Sequence, residues 1–99
     1  MKKELNSQDI IKKIEERKEE ISKYGVKKIG IFGSFAKNCQ KKKSDIDVLI
    51  VMDNPNFDNY MDLKIMLEKL FKRKIDLVIE EDLKPELKYV KKETKYAKL

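Results

Sequence analysis

Histidine and tryptophan are absent from this chain and cysteine occurs once. Imidazole catalysis, an intrachain disulfide and a cysteine-built zinc site are therefore excluded before any motif is considered. The single Cys39 sits in a basic stretch and is assigned no chemistry. Proline occurs twice and glycine three times, and no Pro/Gly/Ser-rich stretch or internal repeat divides the 99 residues. Residues 1–99 thus read as one domain with one modest core. No apolar run is long enough to span a membrane. Met1 is followed by Lys2, Lys3 and Glu4, which argues against a secretory signal and for a cytoplasmic protein with no membrane partner.

Charge is abundant: 42% of residues are charged against 40% hydrophobic, and the formal net charge is +6. The apolar positions are periodic, which keeps the chain in the globular class. The excess positive charge lies in residues 25–43, which hold six lysines (Lys27, Lys28, Lys37, Lys41, Lys42 and Lys43) and no acid. Such a segment raises the local concentration of a polyanion, a nucleoside triphosphate or a nucleic-acid backbone. It is equally what a solvated lysine-rich loop looks like. Only Phe32 and Phe35 are nearby, and the lack of interleaved aromatics argues against a dedicated nucleic-acid module.

The periodicities predict a small α/β (α+β) unit. A first helix starts near Ser7, presents Ile10, Ile11, Ile14, Ile21 and Tyr24 on one stripe, and stops at Gly25. A strand covers Lys28 to Phe32, and the chain turns at Gly33 and Ser34. A second strand, apolar on both faces, follows from Ile46 to Val51. A turn-rich connector, Asp53 to Asn56, leads to a second helix after Asp58 with Leu63, Met66, Leu67 and Leu70 facing the core. A third helix is expected after Asp82, with Pro85 in its first turn and Leu83, Leu87, Val90 and Ala97 on one side.

The chemistry is concentrated around the turn and the second strand. Side chains alternate along a strand that rises about 3.3 Å per residue, so Asp45 and Asp47 share a face with Cα atoms roughly 6.6 Å apart. Two carboxylates pressed against an apolar strand call for a compensating cation, and divalent metal is the natural one. Gly33 brings bare backbone close to an anion, and Ser34 adds a hydroxyl to the N–H groups of the turn. Each half has a plain alternative. Ser44 and Asp45 can be turn residues with Asp47 solvated, and Ser34 can be an ordinary helix cap.

Taken in order, Gly33-Ser34-Phe35-Ala36-Lys37-Asn38 and Ser44-Asp45-Ile46-Asp47-Val48-Leu49-Ile50-Val51 resemble the motifs of the minimal nucleotidyltransferase family of the DNA polymerase beta superfamily. The resemblance covers nearly the whole chain. It implies a polymerase-beta-like fold, a small mixed β-sheet with helices packed on it, and matches the family's third carboxylate to Asp76 in Lys74-Ile75-Asp76-Leu77-Val78-Ile79. It also matches Leu83 to Leu99 to the family's closing helix. Where the family usually has Arg then Gly, this chain has Lys37 and Asn38. Asn38 tolerates a left-handed backbone, and Lys37 keeps the charge without the guanidinium fork.

On this resemblance Asp45, Asp47 and Asp76 are the catalytic and metal-binding residues, holding two Mg²⁺ ions, while Gly33, Ser34, Lys37 and Ser44 bind the nucleotide. The expected reaction is attack of an acceptor hydroxyl on the α-phosphate of ATP, leaving AMP on the acceptor and releasing pyrophosphate. Asp76 would accept or orient the proton of that hydroxyl. Ninety-nine residues leave little room for an acceptor-gripping domain, so a second copy or a partner is expected. The resemblance implies a HEPN-type toxin whose tyrosine receives the AMP, with this chain as antitoxin. The remaining alternatives are an antitoxin that neutralises by occlusion alone and a small basic nucleic-acid-binding protein.

Overall fold

The computed structural model of the protein describes residues 6–36 and 45–99, Ser34 through its backbone alone. Helix α1 (Ser7–Glu16) opens with a capping box: the Asn6 side chain accepts from the Asp9 N–H at 2.9 Å, and the Asp9 carboxylate accepts from the Asn6 N–H. The predicted first helix is broken at Arg17 (φ −108, ψ 18) and resumes as α2 (Lys18–Lys23). Its stripe survives the break, with Ile10, Ile14 and Ile21 fully buried.

Strand β1 (Val26–Phe32) runs into a single helical turn, α3 (Gly33–Ala36), and β2 (Ile46–Met52) returns antiparallel to it. Helix α4 (Phe57–Phe71) is capped by Asn56, whose side chain accepts from the Asn59 N–H at 2.8 Å, so Asp58 lies within the first turn. It crosses back to β3 (Ile75–Ile79), which pairs parallel with β2, as a helical crossover requires. The strand order is β3-β2-β1-β4, a mixed sheet with β3 at one edge.

Strand alternation divides the sheet into two faces. Ile29 and Ile31, Ile46, Val48 and Ile50, and Ile75 and Leu77 join Ile10, Ile14, Leu63 and Leu67 in one core cluster. The opposite face carries two rows set by the register: Phe32, Asp47 and Asp76 across β1, β2 and β3, then Gly30, Leu49 and Val78 beside them.

The expected closing helix is not formed. Lys84 precedes Pro85, a position that disfavours helical backbone, and sits at ψ 150. Short 3₁₀ turns cover Glu80–Asp82 and Pro85–Leu87, and only α5 (Val90–Glu93) is helical. The chain then extends into β4 (Lys95–Tyr96), which pairs antiparallel with Gly30 and Ile31 of β1. Leu87, expected on the apolar side of that helix, is 40% exposed, whereas Val90 is buried against the sheet. Gly30 permits this ending: a Cβ there would lie 2.8 Å from the Lys95 carbonyl oxygen and 3.1 Å from the Tyr96 Cα.

Candidate active site

Asp47 and Asp76 are brought together because β1 ends where β2 and β3 begin. Phe32 pairs with Asp47 and Asp47 with Asp76, so the two carboxylates point from the same face of adjacent parallel strands, which lie about 4.8 Å apart. The start of this edge is closed by a hydrogen bond of 3.1 Å from the Ile46 N–H to the Lys74 carbonyl. Asp45, just ahead of β2, is exposed and Asp47 half-buried.

Gly33 is placed by this geometry as much as by its turn. Its φ is +70, left-handed, and its bare Cα faces the Asp47 carboxylate so closely that any Cβ would overlap it. The sequence assigned Gly33 to an approaching phosphate; the structure adds that Asp47 needs the same space. Next along α3, Phe35 is fully buried, and the Arg73 guanidinium lies 5.4 Å from its ring centroid, in cation–π range. Arg73 went unnoticed in the sequence because no local pattern links residue 73 to residue 35. Lys37, Ser44, the Ser34 side chain and Lys41 to Lys43, all assigned to nucleotide or polyanion binding, lie outside the described residues.

Electrostatics mark the pair. The Asp47 carboxyl is pushed from 3.8 up to about 6, first by burial, then by the charge of Asp76 and a hydrogen bond with it, and least by Asp45. This is accumulated negative charge in oxygen donors, the chemistry of a site for a hard divalent cation. Among the described residues no three acidic, cysteine or histidine side chains converge tightly enough to hold an ion by themselves. That suits Mg²⁺, which is commonly held by one or two carboxylates together with substrate phosphates.

A cleft of about 550 Å³ opens beside the pair. Phe32, Gly33, Asp76 and Val78 line it from the sheet, Leu87 and Tyr89 from the carboxy-terminal segment. Its size and mixed lining suit a small ligand. A larger groove of about 780 Å³ lies between α1 and β4, lined by Ser7, Glu15 and Lys95 among others, but it has no paired carboxylates. The neighbouring carboxylates make the smaller cleft the candidate site. Leu87 and Tyr89 could not be assigned to it from sequence, because their stretch reads as a helix with Pro85 in its first turn.

The family model described as "Nucleotidyltransferase domain" matches residues 10–99. The protein adenylyltransferase MntA of Thermococcus cleftensis is 35% identical over 69 residues, 69% of this chain and 70% of that protein. The chain covers 64% of the length of a Methanocaldococcus jannaschii relative to which it is 39% identical. Among solved structures, a minimal nucleotidyltransferase candidate superposes with a TM-score of 0.80 at 24% identity, covering 95% of this chain and 98% of that one. A toxin-antitoxin with AMP-PNP superposes with a TM-score of 0.66 at 21% identity, covering 83% of this chain and 70% of that one. These two likenesses establish the fold.

Proposed function

We propose, from the premise that this chain belongs to the nucleotidyltransferase domain family, that it transfers AMP from ATP to a protein hydroxyl, a tyrosine of a HEPN-type toxin, and so acts as an antitoxin in the cytoplasm. The observation that carries this reading is the register pairing of Asp47 with Asp76 beside the left-handed Gly33. It sets two carboxylates side by side, and Asp76 and the bare backbone at Gly33 line one cleft. The relatives support the reaction class, one being named a protein adenylyltransferase and another a toxin-antitoxin with AMP-PNP.

Asp45, Asp47 and Asp76 would hold Mg²⁺, two ions in the full site, together with the phosphates of ATP. When bound, the metal neutralises triphosphate charge and lowers the pKa of a coordinated hydroxyl. The backbone at Gly33 and Ser34 receives the phosphates, with Lys37 and Ser44 completing the nucleotide contacts. Asp76, on the cleft side of the edge strand, takes the proton of the attacking hydroxyl, since a phenol with a pKa near 10 is mostly protonated at neutral pH.

The test combines thermal shift with mass spectrometry. Mg-ATP at about 100 times its Kd stabilises the wild type by about 2.7 kcal/mol. Asp45→Asn or Asp47→Asn abolishes that shift, whereas Asp76→Asn retains it and blocks adenylylation of the partner. A partner that is inhibited without carrying AMP transfers the case to occlusion.

A further inference from the structure

We propose that Tyr89 is itself an adenylyl acceptor: in the absence of a partner the chain transfers AMP from ATP to its own Tyr89 hydroxyl, within one molecule. The proposal rests on the AMP-transfer reading above and adds a substrate to that site.

The four tyrosines of the chain are in different situations. Tyr24 is packed against the core cluster. Tyr60 donates its hydroxyl proton to the Leu77 carbonyl oxygen of the edge strand β3, and its phenol is pushed up by burial and by the Asp76 and Asp82 charges. Tyr96 lines the groove between α1 and β4. Tyr89 is 55% exposed and lines the cleft shared by Gly33 and Asp76. Of the four, only Tyr89 lines that cleft.

Its position is anchored from both sides in sequence. The 3₁₀ turn at Pro85–Leu87 precedes it, and the next residue, Val90, is 8% exposed, with its carbonyl accepting from Thr94 Oγ1 at 2.7 Å. The Lys91 ammonium pairs with Glu80 at 2.8 Å, tying α5 to the end of β3. A nucleophile tethered at the mouth of its own active site has a high effective concentration, which favours reaction within the molecule over reaction between molecules.

The step is balanced without a further reagent. Tyr89 Oη forms a bond to the α-phosphorus, the bond from that phosphorus to the bridging oxygen breaks, and pyrophosphate leaves with both bonding electrons. The phenol proton passes to the Asp76 carboxylate and on to water, leaving a tyrosine-AMP phosphodiester.

The experiment incubates the purified full chain with Mg²⁺ and α-labelled ATP alone and maps the product by mass spectrometry. One AMP per chain is expected, on the tryptic peptide Tyr89-Val90-Lys91, at a first-order rate independent of protein concentration. Tyr89→Phe loses the label entirely while melting at the wild-type temperature, Tyr96→Phe labels as the wild type does, and Asp76→Asn stays unlabelled. Wild-type protein that is stabilised by Mg-ATP yet gains no AMP, or gains it elsewhere, overturns the proposal and leaves the AMP-transfer reading standing. Label retained in Tyr89→Phe, or a rate proportional to concentration, overturns it as well. Absence of any Mg-ATP stabilisation overturns both.

Discussion

At Asp47 the burial that makes the site also costs stability, and the sign of that cost is testable. Its carboxyl titrates at about 6 in the folded chain against 3.8 unfolded, chiefly from burial and then from Asp76. The folded state therefore binds this proton more tightly than the unfolded state. The contribution to stability is complete below the unfolded value and is lost as pH rises through the folded one. Discounted for solvent screening of a half-exposed group, the loss is on the order of 1 to 2 kcal/mol. Urea unfolding across this pH window should show that fall in the wild type and its absence in Asp47→Asn; parallel curves would place the proton elsewhere. Gly33 makes the companion prediction. Gly33→Ala forces a left-handed Ala, about 1–2 kcal/mol, and drives a methyl into the Asp47 carboxylate. In the double variant with Asp47→Ala the steric part vanishes and only the backbone part remains, so a double-mutant cycle separates the two.

The element that most changes the shape of the site is the carboxy-terminal segment from Pro85 to Tyr96. It closes over β1 through two paired residues and a hydrogen bond of 2.8 Å from the Ala97 N–H to the Ile29 carbonyl. Gly30 is what lets it approach. Gly30→Val should unseat β4 and open the cleft wall while the core between the sheet, α1 and α4 survives. Amide exchange is the measurement: the Ala97 amide loses protection, whereas Val48 and Ile50, whose N–H groups face β3, keep theirs. Equal loss at all three amides would mean that the segment is integral to the core.

For the whole molecule the two organising quantities are the shared apolar core and the uneven charge. Leu67 is fully buried in the single cluster that joins helices and sheet, and Leu67→Ala should cost about 2–5 kcal/mol in one cooperative unfolding transition. Charge acts at longer range. Replacing Lys41, Lys42 and Lys43 by Ser should weaken ATP binding more at low than at high salt, because at about 1 M ionic strength the Debye length is roughly 3 Å. A salt-independent effect would assign those lysines to solvated surface.

The sequence alone determined the elements whose periodicity is strong and local. The stripe Ile10, Ile14 and Ile21, the two-sided apolar strand around Asp47 and the amphipathic α4 are all found, with ends moved by caps such as Asn56. It also drew attention to Asp47, because an aspartate inside an aliphatic strand is locally conspicuous, whereas Asp76 was singled out only through the family resemblance. The tertiary structure alone decided their relation. Asp76 lies opposite Asp47 through parallel pairing across a crossover helix, and register is a long-range property that no window of sequence contains. The same holds for Arg73 over Phe35 and for Tyr89 in the cleft that Asp76 also lines, where residues distant in the chain are brought to one place. In the last segment, Lys84 before Pro85 is held extended and the available edge of β1 captures Lys95 and Tyr96, so pairing prevails over a helical pattern too weak to hold alone.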